Sequence, residues 1–547
     1  MYKIVDRLTI AVTARFTEGD IAVRSSIQLN EDNEVFFLEA FVNSLDMKLL
    51  GFKHSERFDP AFVPAPGRPP LNPRDGLKLY LYGYLNQRRS SRKLEVECER
   101  NNEVRWLMKG LVPSYKAISE FRKENIECIR KVFKEFVYFC DSLGLFGGKI
   151  ISIDGSKFKA VNSKDRNFNK KQLVDRLKQI EKSVNKYLEE LRENDEKLDR
   201  YISDSTPATV SNSISPADAS QDGEPTTSEK EQKKVEQIQA ADDKRRSAWR
   251  KRIEQKLEKL TKRRKKYSDI SKKLEESGEK EISLTDPDSR LMKIRDKLDV
   301  CYNIEASVDL KFHLIPEYNV TNNQNDYDQL FLMGKGTKET LNLDRFSATA
   351  DGGFFDAMQI KECMKIGIVP YLPLPQRTKP QKGIGVPTPD FYLERFRYDK
   401  PRDAYVCPAG NDMIFYTTKV KHDQTQRFYR TKMCNLDCTF RSECTSRKEG
   451  RVITRWENEE ILEEMASRLK TPEGMEIIEK RKALSEHPFG TMKRDFNQDY
   501  LLLKTLRKVK GEVGFTILAY NMRRVFNLLQ TKTLISALGF WHTIMMK

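Results

Sequence analysis

The stretch SEHPFGTMKRDF, residues 485–496, sets one carboxylate, Glu486, seven residues before a lysine, Lys493. Two other acids stand in related settings. KIISI runs into Asp154 followed by Gly155, and RFSATA runs into Asp351 followed by Gly352. An acid closing an apolar strand has its direction fixed by that strand, although a lone Asp-Gly is more simply a turn. Three ionised carboxylates at one sheet edge would suit hard divalent ions such as Mg²⁺, which take oxygen ligands. Two such ions about 4 Å apart can clamp an in-line attack at phosphorus, one activating the nucleophile and the other stabilising the leaving oxygen. Taken as a pair, Glu486 and Lys493 are better explained as a solvated helix face. His487 adds nothing to the site, because the five histidines are scattered and none has triad spacing.

Several elements must position these acids. KIISID predicts a buried strand ending at Asp154, with Gly155 making the turn. CYNIEASVDL and FHLIPEYNV predict a hairpin around Lys311, and DYDQLFLMGKGTKETL predicts a helix. RFSATADGGFFDAMQIKECMKIGIVPYLPLP reads strand, turn, helix, strand. Strands alternating with helices imply an α/β layer. PEGMEIIEKRKALSEHPFGTMKRDF predicts a helix with Pro472 in its first turn, and GEVGFTILAYNMRRVFNLLQ an apolar helix packed in the core.

Lys plus Arg total 98 against 81 Asp plus Glu, a net charge of +17 over 547 residues. That excess points to an anionic partner, with nucleic acid first. The first 145 or so residues read as helical. Arg88, Arg89 and Arg92 cluster beside Ser90 and Ser91, and Ser114 caps a helix with Ile118 and Phe121 on one face. Such a pair of helices suits a DNA-binding bundle, and a solvated arginine edge is the plainer alternative.

No run of 18 apolar residues exists, so no spanning helix is expected. The N-terminus makes a poor signal peptide. Nine cysteines, an odd number spread along the chain, argue against a secreted disulfide framework. A soluble, cytoplasmic protein is expected.

Leu173, Ile180, Tyr187 and Asn194 recur every seven residues, with Leu177, Val184, Leu191 and Leu198 as a second seam. Ile253, Leu260, Tyr267 and Leu274 repeat that spacing. The segment between them, rich in Ser, Thr, Pro and Asp, should be disordered. A helical hairpin with an unstructured tip is expected, and a dimeric coiled coil is the alternative.

Four cysteines, Cys407, Cys434, Cys438 and Cys444, fall in one irregular, β-like segment. They could close a tetrahedral zinc site, or stay as four reduced, partly buried thiols. Arg427, Tyr429, Arg430 and Lys432 lie between them, and with Trp456 could grip or stack DNA.

In order and wording, IDGSKFKAVNSK, ATADGGFFDAMQI and SEHPFGTMKR resemble the three acid motifs of a bacterial insertion-sequence DDE transposase, similar to the insertion-sequence family numbered eleven-eighty-two. YLYGYLNQRRSSRKLE and PSYKAISEFRK resemble that branch's first domain, so the likeness spans most of the chain. The resemblance implies an α/β, RNase H-like catalytic core with an N-terminal helical domain, a coiled-coil insert and a small cysteine-bearing β-rich insert. It implies that Asp154, Asp351 and Glu486 hold two Mg²⁺ ions, with Mn²⁺ as a substitute, and that Lys493 contacts DNA. The related signature has a tyrosine seven residues and an arginine four residues before the glutamate. Here those places hold Glu479 and Lys482, with Arg481 beside the latter, so Lys482 or Arg481 would supply the phosphate charge.

The expected division is 1–145 for the helical DNA-binding domain, 146–168 with 300–375 for the first parts of the core, 169–299 for the hairpin with its tip near 203–232, 376–470 for the cysteine-bearing insertion, and 471–547 for the end of the core. Expected partners are double-stranded DNA with terminal inverted repeats, target DNA, and a second copy of the chain across paired ends, with no membrane. The expected setting is the bacterial cytoplasm, at the nucleoid. A catalytically inactive DNA-binding descendant is the rival reading.

Overall fold

The first eight strands run in chain order as β1 (Ile150–Lys159), β2 (Asn167–Asn169), β3 (Glu281–Ser283), β4 (Arg290–Ile294), β5 (Lys297–Asp309), β6 (Glu317–Thr321), β7 (Phe346–Ala350) and β8 (Ile368–Tyr371). The structure is a computed structural model. It describes residues 23–58, 70–204, 227–294, 296–374, 387–421, 424–436 and 438–545, without the side chains of 164, 198–204, 227–239, 242, 421, 424, 435, 436, 482–486 and 542–545. The chain forms two units, 1–162 with 291–547, and 163–290.

In the first unit, the larger sheet has the order β4-β5-β1-β7-β8, with β6 also on β5. β1 is antiparallel to β5 and parallel to β7, and β7 is parallel to β8. Helices Gln329–Thr340 and Ala357–Lys365 link β6 to β7 and β7 to β8, so this is a mixed α/β layer. The pleat sends alternate residues to opposite faces. Ile151, Ile153, Ala348 and Ala350 join one apolar cluster. Phe158, Ile304, Ala306 and Val308 join another, which also takes in the N-terminal helices and helix Leu506–Leu528.

One N-terminal helix carries its expected cap. Ser114 accepts from the Ala117 amide to start Tyr115–Asn125, and Ile118 and Phe121 are buried. Pro472 opens helix Pro472–Gly490, capped by Thr471.

The strand expected to end at Asp154 continues to Lys159. Gly155 makes no turn, because β5 keeps pairing with β1 as far as Lys159↔Cys301. What ends there is the parallel pairing with β7, whose last partners are Ile153↔Ala350.

The second unit is a helical hairpin of Lys170–Asp204 and Thr227–Ser277. Leu173, Ile180, Tyr267, Ile270 and Leu274 bury their side chains around Phe168, and β2 and β3 close the base through Asn167↔Ser283. Both helices enter the stretch expected to be unstructured, one reaching Asp204 and the other starting at Thr227. Residues 205–226 lie outside the described residues.

Five more strands, β9 (Arg397–Asp399), β10 (Ala404–Val406), β11 (Asp412–Lys421), β12 (Gln424–Arg430) and β13 (Val452–Trp456), form an antiparallel sheet in the order β13-β12-β11-β10-β9. Its core is thin: Phe391, Phe396, Tyr405, Met413, Tyr429, Cys444 and Ile453. Among the described residues no helix is long and apolar enough to cross a membrane.

Candidate active site

The β1–β7 register builds the site. Ile153 pairs with Ala350, so the next residues, Asp154 within β1 and Asp351 just past the end of β7, stand beside each other where the parallel pairing stops. Each carboxylate is tethered by a local amide. The Gly155 N–H donates to Asp154 Oδ1 at 2.9 Å, and the Gly353 N–H to Asp351 Oδ1 at 2.8 Å. The second oxygen of each remains for other partners.

Two further acids, which the sequence reading missed, join them. Glu305 on β5 lies opposite Gly155 and is fully buried. Asn303 Nδ2 bridges Glu305 Oε1, at 2.6 Å, and Asp326 Oδ1. Asp326 and Asp351 both border Gly353: a Cβ built there would stand 2.9 Å from Asp351 Oδ1 and 3.5 Å from Asp326 Oδ2. By the pleat, Glu305 and Gly155 share one face and Asp154 takes the other, so the acids bracket β1.

Burial and crowding weaken two of these acids. Burial pushes the Asp154 carboxyl up to about 7, with the Asp351 and Asp326 charges adding to it and the Gly155 amide and Arg481 opposing it. Burial, with the hydrogen bond and charge of Asp326, pushes Glu305 up to about 9.

Glu486 lies on helix Pro472–Gly490, which packs on β1, β7 and β8. The side chains of Glu486 and Lys482 are outside the described residues. Arg481, on the same helix, is close enough for its charge to act on Asp154. Lys493 is tied to β1 rather than free: Nζ donates to Ser156 Oγ at 2.6 Å and to the Lys157 carbonyl at 3.0 Å, and it stands 4.7 Å from the Phe158 ring centre. Its segment, Thr491–Asp495, is a π-helical turn, a form frequent at functional sites.

The three N-terminal arginines part company. Arg89 is turned inward, donating to the carbonyls of Tyr500 and Asn497 and lying 3.7 Å from the buried Glu512 carboxylate. Arg88 is exposed and pairs with Glu97, and Arg92 lies over the Tyr115 ring. Arg92 lines an open groove with Ser90, Ser91, Lys116 and Lys123.

Cys407, Cys434, Cys438 and Cys444 line one small cavity, and Asn411 N–H donates to Cys407 Sγ at 3.3 Å. Burial pushes the Cys444 thiol up to about 11, with Arg451 opposing and the other three cysteines adding to the rise. Tyr429 is buried in the core of the smaller sheet and Arg427 pairs with Asp403, whereas Arg430 is exposed over Tyr416. Among the described residues no group of three or more His, Cys, Asp or Glu stands ready-made to hold a metal. The donor types still fit: oxygens alone around Asp154 suit a hard divalent ion, and four thiols around one cavity suit zinc.

Two family models match the chain. A transposase DDE domain covers residues 406–526, and a transposase domain (DUF772) covers residues 24–124. The first takes in the cysteines, Glu486 and Lys493, and the second the N-terminal arginines. No curated protein and no solved structure matches. Together the two matches support an insertion-sequence transposase, and the DDE domain supports a nuclease-type enzyme.

Proposed function

We propose that this protein binds the ends of an insertion sequence of the eleven-eighty-two type, cleaves them and joins them to target DNA by metal-dependent phosphoryl transfer. The observation that carries the reading is the register that delivers Asp154 and Asp351 side by side, in a chain whose later part matches a DDE transposase domain. The order β6-β5-β1-β7-β8, with only β5 antiparallel to its neighbours, supports an RNase H-like core. Asp154, Asp351 and, from helix Pro472–Gly490, Glu486 would hold two Mg²⁺ ions. Such ions, when bound, activate water and stabilise the leaving oxygen at phosphorus.

The chain's own residues do the positioning. The Gly155 and Gly353 amides fix one oxygen of each aspartate. Lys493, anchored along β1, places positive charge on the Asp154 face, where a DNA phosphate would approach. Arg481 adds a second cation there, and Lys482 is assigned the same role. Arg88 and Arg92 would contact the DNA backbone. Arg89 instead braces the 497–500 segment. We assign the four cysteines to a structural zinc, and a homodimer to the paired-end complex.

The test uses purified protein with DNA carrying the element's own flanking ends and inverted repeats, in Mg²⁺ or in chelator, beside Glu486→Gln. Metal-dependent nicking at the ends is expected, lost in the variant while binding survives. End binding without cleavage in Mg²⁺ and in Mn²⁺ would overturn the reading in favour of an inactive DNA-binding descendant.

A further inference from the structure

Asn303, Glu305, Ser307 and Asp309 form a buried polar row along one face of β5, an interior strand of the larger sheet. Three of the four are explained by the fold. Asp309 accepts the Gly147 and Gly148 amides, Ser307 bonds with Thr337, and Asn303 donates to two carboxylates. Glu305 is not. It is 0 % exposed, its Oε1 accepts only from Asn303, and no donor among the described residues reaches Oε2. A buried carboxyl oxygen with no hydrogen-bond partner is costly, and a fold that keeps one usually has a use for it.

Gly155 makes room for that oxygen. It lies in regular strand pairing, so what it supplies is space: a Cβ there would stand 2.4 Å from Glu305 Oε2. Through Asn303 the buried carboxylate is joined to Asp326, which is half-buried and borders the same point at Gly353 as Asp351 does. An acid near the surface is thus carried on a buried amide and acid, and aimed at the end of β7.

We propose that Asp326 is a fourth carboxylate of the divalent-cation site, reaching it from the Gly155 face of β1, with Asn303 and Glu305 as its positioning residues. This rests on the divalent-ion reading above. It gives Asp326 a function that neither the three acid motifs nor the matched segments supply, since residue 326 lies outside both matches. The competing arrangement is a proton shared between Glu305 and Asp326, a purely structural pair that would leave ion affinity unchanged.

The test is Mn²⁺ titration of the full chain without DNA, with free ion followed by its electron paramagnetic resonance signal. Asp154→Asn should abolish the specific site. Asp326→Asn should weaken it by about 10-fold or more, the usual effect of losing a carboxylate at or next to a metal. Asn303→Ala, which leaves every acid in place, should weaken it severalfold. Asp328→Asn, an exposed acid two residues further on, should change nothing. Thermal melts in chelator check that each variant folds, and Asn303→Ala carries the test should Asp326→Asn fail to fold. Wild-type affinity in both Asp326→Asn and Asn303→Ala, with Asp154→Asn still deficient, would overturn this inference and leave the proposed function standing. A wild-type chain that binds no Mn²⁺, or binds it as well as Asp154→Asn does, would overturn both.

Discussion

In the larger sheet, Asp154 and Asp351 are neighbours because each directly follows the last pair of the parallel β1–β7 register, and the backbone does the positioning before any side chain acts. In the smaller sheet the four cysteines sit outside the strands. Cys407 follows β10, Cys434 and Cys444 belong to the short helices Met433–Leu436 and Arg441–Cys444, and Cys438 lies between these helices. They meet over a core of only a few buried side chains. An acid in the first arrangement can be neutralised without moving the others. Under the zinc proposal the cysteines would hold one another through the ion, so losing one should loosen all. One sheet positions its chemistry by pairing, and on the zinc proposal the other would depend on its chemistry to stay folded.

The sharpest way to break this contrast is to compare single substitutions in the two sheets. Asp154→Asn or Asp351→Asn should lower end cleavage on the order of 10³-fold while the melting profile survives, because several kcal/mol of transition-state stabilisation is lost without loss of packing. Cleavage assays beside calorimetry test this, and a variant that unfolds would refute placement by backbone. Cys434→Ser should do the reverse. Residues 390–460 or so should become protease-sensitive and bound zinc should disappear, with several kcal/mol of local stability lost, while the larger sheet stays protected in hydrogen exchange. An insert as protected as before, in a chain containing no zinc, would favour four plain thiols.

Arg89→Ala comes next. It removes a cation beside the fully buried Glu512, which keeps the Leu502 and Leu503 amides, and frees two carbonyls, so chemical denaturation should report a loss of about 2 kcal/mol, with DNA contacts affected only through the fold.

The pH dependence sharpens the picture of the acids. Asp154 ionises near 7 in the folded chain against 3.8 ordinarily, so its contribution to stability is fully present below about pH 4 and is lost as pH rises through 7. In chelator, Asp154→Asn should therefore melt higher than the parent at pH 8 and level with it at pH 4. The gap should be a few kcal/mol at most and should close when a divalent ion is added. A gap of equal size at both pH values would refute the crowding. The smallest effect is expected at Arg92→Ala. Affinity for DNA should fall uniformly across sequences, with the salt slope reduced by about 1 and the melting temperature unchanged.

Much of the core could be read from the sequence. The apolar runs leading into Asp154 and Asp351 locate two of the core strands, and the order of strands and helices gives the α/β layer. Gly155 was misread because Asp-Gly is a strong turn signal locally. The competing influence is non-local, a nine-residue antiparallel pairing with β5 that no nearby residue announces. Glu305 did leave a trace, as an acid inside the apolar run CYNIEASVDL, where a charge buried in a central strand needs a reason. Asp326 left none, since NQNDYDQ looks like any polar loop. Nor could Arg89 be told from Arg88 and Arg92. Its partners lie some 400 residues away, and three clustered arginines look alike until the fold turns one inward.

The hairpin unit also bears on how the chain folds. β1 and β5 pair along their length although more than a hundred residues separate them. Helices form and zip locally within microseconds, and closing the base at Asn167↔Ser283 brings the two flanking segments together. The central strands then meet across a short effective connection instead of a long open loop. This saves on the order of 1–2 kcal/mol of closure entropy and shortens the slowest search in the fold.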